Sequence, residues 1–175
     1  MVEKTPSTIS FNDYLQLSRC IFEWAESYDT KNWERLRLIL APRLKVDYRQ
    51  VLGESAYWPE ISAEDFTLMI SAPTLLGNPV VRTQHLIGAS WWESVSETEA
   101  VGHHQIRAAH VRFRDTNLQE ELHRGHGHGS NEHFYEKING EWKLAGLRPN
   151  THFMEFNFDR VFGEQGEHDG AKGRE

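Results

Sequence analysis

The chain has 175 residues, with 19 basic and 26 acidic side chains, a formal net charge of −7 and 38% hydrophobic residues. That length suits one domain, and the acidic balance excludes a protein built mainly to grip nucleic acid, which needs a basic face. No run of 18 apolar residues occurs, which excludes a membrane-spanning helix, while 6 Trp, 9 Phe and 5 Tyr can build a core with room for a cavity.

The opening Met1-Val-Glu-Lys-Thr-Pro6 lacks a basic stretch followed by an apolar one, so no signal peptide is expected. Residues 1–9 read as a loose arm. Ser10 or Asn12 can cap a helix whose apolar positions (Phe11, Tyr14, Leu15, Leu17, Ile21, Phe22, Trp24, Ala25, Tyr28) mostly follow the 3.6-residue repeat. That helix should end near Tyr28 and Asp29. The single Cys20 lies within it, excludes an internal disulfide and reads as an inert buried thiol. A second helix runs from Trp33 to about Leu40, stopped by Pro42. Leu44, Val46 and Tyr48 then alternate with Lys45, Asp47 and Arg49, a half-buried strand with Tyr48 facing inward.

Val51 to Ile61 reads as irregular. Ser62 caps a short helix through Met69, favoured by Glu64 and Asp65 in its first turn. Leu76-Gly-Asn-Pro79 is a turn. Arg82 to Trp92 reads as a strand with His85, Ile87 and Ala89 on one face. Ser94 to Thr98 is polar and connects it to a strand from Val101 to Phe113. This strand carries His103, His104, Gln105 and His110 among small residues, which leave room for a pocket. Its His110 shares parity with Ile106 and Ala108, while Val111 and Phe113 fall on the other face. A strand covered on both faces, or a bulge, would give this pattern. Leu118 to Tyr135 is a further long strand region. Asn139-Gly140 is the strongest hairpin signal in the chain and leads into a strand with Trp142 and Leu144 on one face. Phe153, Met154, Phe156, Phe158 and Phe162 form an aromatic tail beyond Pro149, and residues 163–175 read as disordered. Helices followed by a run of antiparallel strands make an α+β fold, a curved sheet wrapped on N-terminal helices.

The inward titratable candidates are Tyr28, Asp29, Tyr48, His85 and His110. His126 and His128 lie two apart, so on a strand they share a face and can chelate a metal, with His123 and His133 nearby. Strands also place polar residues toward solvent at this spacing, and no carboxylate–histidine motif of a metal enzyme is present. The expectation is no metal and no cofactor. A phosphate loop, a G-x-S-x-G elbow and a C-x-x-C pair are absent from the sequence, so nucleotide binding and nucleophilic catalysis have no support.

Several segments together carry a resemblance. They are Tyr14-Leu15, Glu23-Trp-Ala-Glu-Ser-Tyr28-Asp29-Thr-Lys-Asn-Trp33, Val46-Asp-Tyr48-Arg49, Leu76-Gly-Asn-Pro79, Arg82-Thr-Gln-His85-Leu-Ile-Gly88, His104-Gln-Ile-Arg107, His110, Gly125-His-Gly-His128, Trp142-Lys-Leu-Ala-Gly-Leu-Arg-Pro149 and Glu155-Phe-Asn-Phe158-Asp-Arg-Val-Phe162. Over roughly residues 9–162 the chain resembles fungal scytalone dehydratase. The resemblance implies a cone-shaped α+β barrel of the nuclear transport factor 2-like and SnoaL-like kind. It also implies a homotrimer, cytoplasmic or endosome-associated, and a cofactor-free dehydration in melanin synthesis that turns scytalone into 1,3,8-trihydroxynaphthalene and vermelone into 1,8-dihydroxynaphthalene. The domain would span residues 1–162, with a C-terminal lid at about 150–162.

Eliminating water from a β-hydroxy ketone needs a base for the α-proton, donors for the enolate oxygen and an acid for the leaving hydroxyl. By resemblance, Tyr28 and Tyr48 polarise the substrate carbonyl through a held water. His85 and His110 form the acid–base pair, with His85 the proton acceptor, and Asp29 orients His110 and keeps it protonated. Asn131 contacts the ligand, and Met69, Leu75, Pro149, Phe158 and Phe162 form the apolar wall and lid. Three positions depart from the family. Gly129 stands where the family has a Ser that holds a catalytic histidine, so Ser130 substitutes only if the strand bulges. Val51 stands for a Phe and His103 for a Tyr. These departures touch the exact polyketide substrate more than the reaction. The alternatives are a related dehydratase of another fungal polyketide pathway and a non-dehydrating, pericyclase-like binder on the same fold. Pure binding has no need of an acid–base set.

Overall fold

The computed structural model describes residues 9–162, so the readings for the first eight residues and for 163–175 lie outside the described residues. Helix α1 (Phe11–Thr30) starts at Ser10, whose hydroxyl accepts from the Asp13 amide. It ends where Lys31 takes the left-handed conformation at φ 55°. Its buried stripe of Leu17, Cys20, Ile21, Trp24 and Tyr28 keeps the 3–4 spacing of one helix face. Burial pushes the Cys20 thiol up to about 12, consistent with an inert sulfur. Helix α2 (Trp33–Ile39) is capped by the Asn32 side chain. It ends three residues before Pro42, which itself lies in strand β1 (Leu40–Asp47).

The Val51–Ile61 stretch is more ordered than its sequence suggests. It holds a short helix α3 (Arg49–Leu52) and most of strand β2 (Tyr57–Ser62), which pairs antiparallel with β1. Its polar and irregular pattern hid the strand because β2 is the edge of the sheet, where few side chains are buried. Helix α4 (Ala63–Ile70) is capped by Ser62. Three long strands and a fourth complete the sheet: β3 (Val81–Ser94), β4 (Glu99–Phe113), β5 (Glu121–Ile138) and β6 (Glu141–Phe156), with a last short helix α5 (Phe158–Val161).

The six strands run in the order β2-β1-β6-β5-β4-β3. All neighbours are antiparallel except β1 and β6, which are parallel. The β5–β6 hairpin turns on Asn139 and Gly140, at φ 51° and 84°, the double left-handed signature of a type I′ turn. The sheet wraps α1, and the core between them gathers Leu17, Trp24, Phe66, Leu44, Leu144 and Leu147.

Two irregularities set what faces the interior. On β3, Ile87 pairs with Ile106 but Ser90 pairs with His104, so two residues oppose Gln105 alone. This bulge reverses the inward parity. Ala89 is therefore exposed, contrary to its expected place beside His85 and Ile87, and Ser90 reaches the buried His104 instead. On β6, Phe153 pairs with His128 and Thr151 with Gly129, which places the extra residue, His152, on β6. Strand β5 itself runs in unbroken register against β4 from His123 to Glu136, past Gly129, and shifts only beyond the Arg112–His123 pair.

Candidate active site

A cavity of about 820 Å³ opens between the end of α1, the tip of β1, the loop before β3, the C-terminal halves of β4 and β6 and the N-terminal half of β5. The expected residues Tyr28, Tyr48, His85, His110, Ser130, Asn131, Leu75, Pro149, Phe158 and Phe162 all line it. Asp29 is not on the wall but sits directly behind His85. Met69 is not on the wall either. Helix α4 turns Phe66 and Ile70 inward, four residues apart, and it is Ile70 that lines the cavity while Met69 packs at the core's margin.

Each polar group is held by a distinct local device. Tyr28 comes from the last turns of α1 and Tyr48 from the residue that follows β1 and caps α3. Their hydroxyls meet at 3.2 Å. Burial pushes the Tyr28 phenol up to about 12, and burial with the neighbouring Tyr28 pushes Tyr48 well above its ordinary value. Both hydroxyls therefore stay protonated and can donate.

Asp29 stands in the last turn of α1, an unfavourable place for an acid beside the helix dipole. It is fully occupied there. The Thr83 hydroxyl donates to it at 2.9 Å, the His85 amide at 2.7 Å, and His85 Nδ1 lies 2.6 Å from its Oδ1. Burial raises the Asp29 carboxyl, but the hydrogen bond and charge of His85 and the other donors outweigh it, and the net shift is downward. Asp29 is thus an ionised carboxylate that orients His85. The sequence-based expectation gave this role toward His110, and the structure corrects it. Alternation along β3 brings Thr83 and His85 to the same inward face beside Asp29, whereas His110 lies one strand further away.

His110 instead donates from Nδ1 to the Ala108 carbonyl at 3.1 Å and is flanked edge-on by Phe158 and Phe162. Burial, followed by repulsion from His85, drives it down to about 3. It is a neutral imidazole at working pH. Its ring centroid lies 5.9 Å from that of His85, so both can reach one small substrate.

The Gly129 position resolves differently from the family pattern. Because the extra residue is on β6, Gly129 keeps its inward parity with Gly127 and Asn131, and Ser130, which borders the cavity together with Asn150, has the opposite parity and does not take the place of a side chain at 129. A Cβ at Gly129 would fall far inside contact with the Asn150 carbonyl oxygen. A serine therefore cannot be accommodated there without moving β6.

The aromatic tail also divides in two. Strand β6 continues past Pro149 to Phe156. Phe153 and Phe156 stand on the outer face, 55% and 66% exposed, so they do not cover the cavity. Met154, Phe158, Arg160 and Phe162 do line it, and Arg112 fastens α5 by donating to the Val161 carbonyl at 3.1 Å.

Two features escaped the sequence. Lys31 donates to the Leu76 carbonyl and so ties the loop bearing Leu75 and Leu76 to the end of α1; burial, followed by repulsion from Arg82, lowers its ammonium to about 8. Behind the cavity runs a buried chain. Ser90 Oγ lies 2.8 Å from His104 Nδ1, Tyr135 Oη is 3.3 Å from His104 Nε2, and His133 Nδ1 is 3.2 Å from Tyr135 Oη. His133 packs edge-on against Trp24, which in turn meets His85 the same way. Parity along β4 and β5 was the available signal, since 104 and 110 share a face, as do 131 and 133.

The scytalone dehydratase family model matches residues 8–168. The chain is 52% identical to the scytalone dehydratase arp1 of Aspergillus fumigatus over 163 residues, 93% of this chain and 96% of that protein. It is 49% identical to the scytalone dehydratase of Pyricularia oryzae, over 88% of each chain. It is 46% identical to the scytalone dehydratase-like protein mdpB of Emericella nidulans, covering 89% of this chain and 72% of that protein. Among solved structures, the Kfla4162 protein of Kribbella flavida aligns with a TM-score of 0.69 at 17% identity, over 82% of this chain and 93% of that one. The hexachlorocyclohexane dehydrochlorinase LinA-type3 of Novosphingobium barchaimii aligns at 0.65 and 11% identity, over 83% and 90%. At such identities these two structures share the fold alone.

Proposed function

The chain belongs to the scytalone dehydratase family, and we propose that it is a cofactor-free dehydratase of a hydroxylated bicyclic ketone, with scytalone and vermelone of melanin synthesis as its substrates. The observation that carries this reading is the joint presence, in one cavity, of the Asp29-anchored His85 and the paired hydroxyls of Tyr28 and Tyr48.

The chemistry follows from the geometry. With Nδ1 of His85 committed to Asp29, Nε2 is the nitrogen left for the substrate. It takes the proton from the carbon beside the ketone, and the C–H electrons form an enolate. Tyr28 and Tyr48, or a water between them, donate to the enolate oxygen. The enolate then collapses to a carbonyl and a new C=C bond, the β C–O bond breaks, and the departing oxygen takes the proton from the His85 imidazolium to leave as water. The resulting enone tautomerises to the aromatic naphthol. The carboxylate of Asp29 lies against the ring that becomes the cation, and the proton His85 has taken is at hand for the leaving oxygen, whereas the neutral His110 carries no extra proton to give. His110 and Asn131 hold the leaving hydroxyl, and Phe158 and Phe162 exclude bulk water.

A dehydratase-like activity on another polyketide ketone is favoured by one observation, Gly129, which removes a side chain from the cavity wall opposite Asn150. Incubating the purified protein with scytalone and following naphthol absorbance tests the first reading. Conversion supports it, and absence of conversion, with turnover of another hydroxylated ketone, supports the second. We further propose a cytoplasmic homotrimer that packs through the outer face of β3, where Leu86 and Trp91 are 59% and 62% exposed, and leaves the outer face of β5 and β6 to solvent. A monomer by light scattering would overturn that assembly.

A further inference from the structure

The face of the sheet turned away from His85 carries a second cluster that the dehydration does not use. His126 and His128 are two residues apart on β5 and share its outer face. Glu155 on β6 pairs directly with His126 in the strand register. The sequence shows only the two histidines, and the carboxylate arrives from 27 residues away through the β5–β6 hairpin.

We infer that His126, His128 and Glu155 form a binding site for a divalent transition cation such as Zn²⁺, one that braces β5 to β6, with His128 also bordering the catalytic cavity. One donor atom from each residue falls within 4.8 Å of the others. His128 Nε2 lies 2.9 Å and His126 Nδ1 3.4 Å from the Glu155 Oε2. Donors bound tetrahedrally at zinc's usual ligand distances of about 2.0–2.2 Å sit about 3.3 Å from one another, so two of the three separations already match. Two imidazoles with one carboxylate are a donor set that suits Zn²⁺, and a solvent-facing side leaves a fourth position for water. Aromatic rings fix the imidazoles: Phe153 stacks on His128 at 4.4 Å and Phe156 meets His126 edge-on at 5.2 Å.

One group competes for the place. The Arg107 guanidinium, on β4, donates to His126 Nδ1 at 2.7 Å and lies 3.7 Å from Glu155. It occupies the lone pair that a metal would take and gives Glu155 the positive partner that the ion would otherwise be. Its side chain is about half exposed, so it can swing to solvent. Removing this like charge at contact distance should tighten the metal about tenfold.

The test is isothermal titration of Zn²⁺ into untagged, chelator-stripped full-length protein, with Co²⁺ absorption as a second probe. We expect one Zn²⁺ per chain and Co²⁺ bands of a four- or five-coordinate site. Glu155→Gln and His126→Asn should each weaken Zn²⁺ by tenfold or more, while Arg107→Met should strengthen it. Circular dichroism confirms that each variant is folded. Absence of saturable binding in the parent and in Arg107→Met, or binding that Glu155→Gln and His126→Asn leave unchanged, would overturn the site.

Discussion

At the scale of single residues, the site turns on which histidine owns the carboxylate. Asp29, Tyr28, Tyr48, His85 and His110 were legible in the sequence as a set, because each falls at an inward helix or strand position. The partnership was not, since it depends on the distance between the end of α1 and β3, which no local pattern encodes. Asp29→Asn keeps the shape but removes the charge that stabilises a His85 cation. It should lower kcat by about 10²–10⁴-fold with ligand affinity little changed, read by steady-state kinetics beside direct binding. Tyr48→Phe should cost less, because Tyr28 still donates to the enolate oxygen. Equal losses for both variants would remove Asp29 from its assigned place.

At the scale of elements, hairpins, caps and helix faces were readable, and bulges were not. The Ser10, Ser62 and Asn139-Gly140 signals stand where expected. The β3 bulge that exposes Ala89 and the β6 bulge that holds Gly129 inward arise from pairing across the sheet, so strict alternation misplaced Ala89 and left Ser130 open. The lid shows the same limit. Its residues read as one tail, but Phe153, Met154 and Phe156 belong to β6, while α5 with Phe162 closes the cavity. A cut after Asn150 would therefore strip paired strand from the sheet, whereas a cut after Asn157 removes the cover alone. The latter should raise KM at least tenfold with a smaller change in kcat, measured with the dehydratable ketone. Unchanged KM would mean that α5 does not cover bound substrate. Gly129→Ser tests the neighbouring strand. Its Cβ must displace the Asn150 backbone, and a loss of about 1–3 kcal/mol is expected in denaturant unfolding. A neutral result would show that β6 yields there freely.

At the scale of the whole molecule, the core contains histidines kept neutral by burial. His104 is held down to about 4 and His110 to about 3, and His133 lies well below its ordinary value. In the unfolded chain each would titrate near 6.5. Between about pH 6.5 and those depressed values the unfolded state binds more protons, so stability falls as pH drops through that window. Each such histidine adds up to about 1.4 kcal/mol per pH unit, and His104→Asn should flatten the slope measured by denaturant titration from pH 7 to 5. A slope unaltered in the variant would show that His104 is protonated in the folded state. Activity, by contrast, should survive chelation, because every proposed catalytic role belongs to an organic side chain; loss on chelation that one metal restores would contradict this. The measurement that tests the central claim most directly is turnover of scytalone by His85→Asn, paired with the binding constant of a non-reacting ligand. With His85 as the proton-transfer group, kcat falls by about 10²–10⁴-fold while the binding constant stays within a few-fold of the parent. Turnover near the parent rate would show that His85 only packs or binds, and the dehydration described here would not be this protein's chemistry.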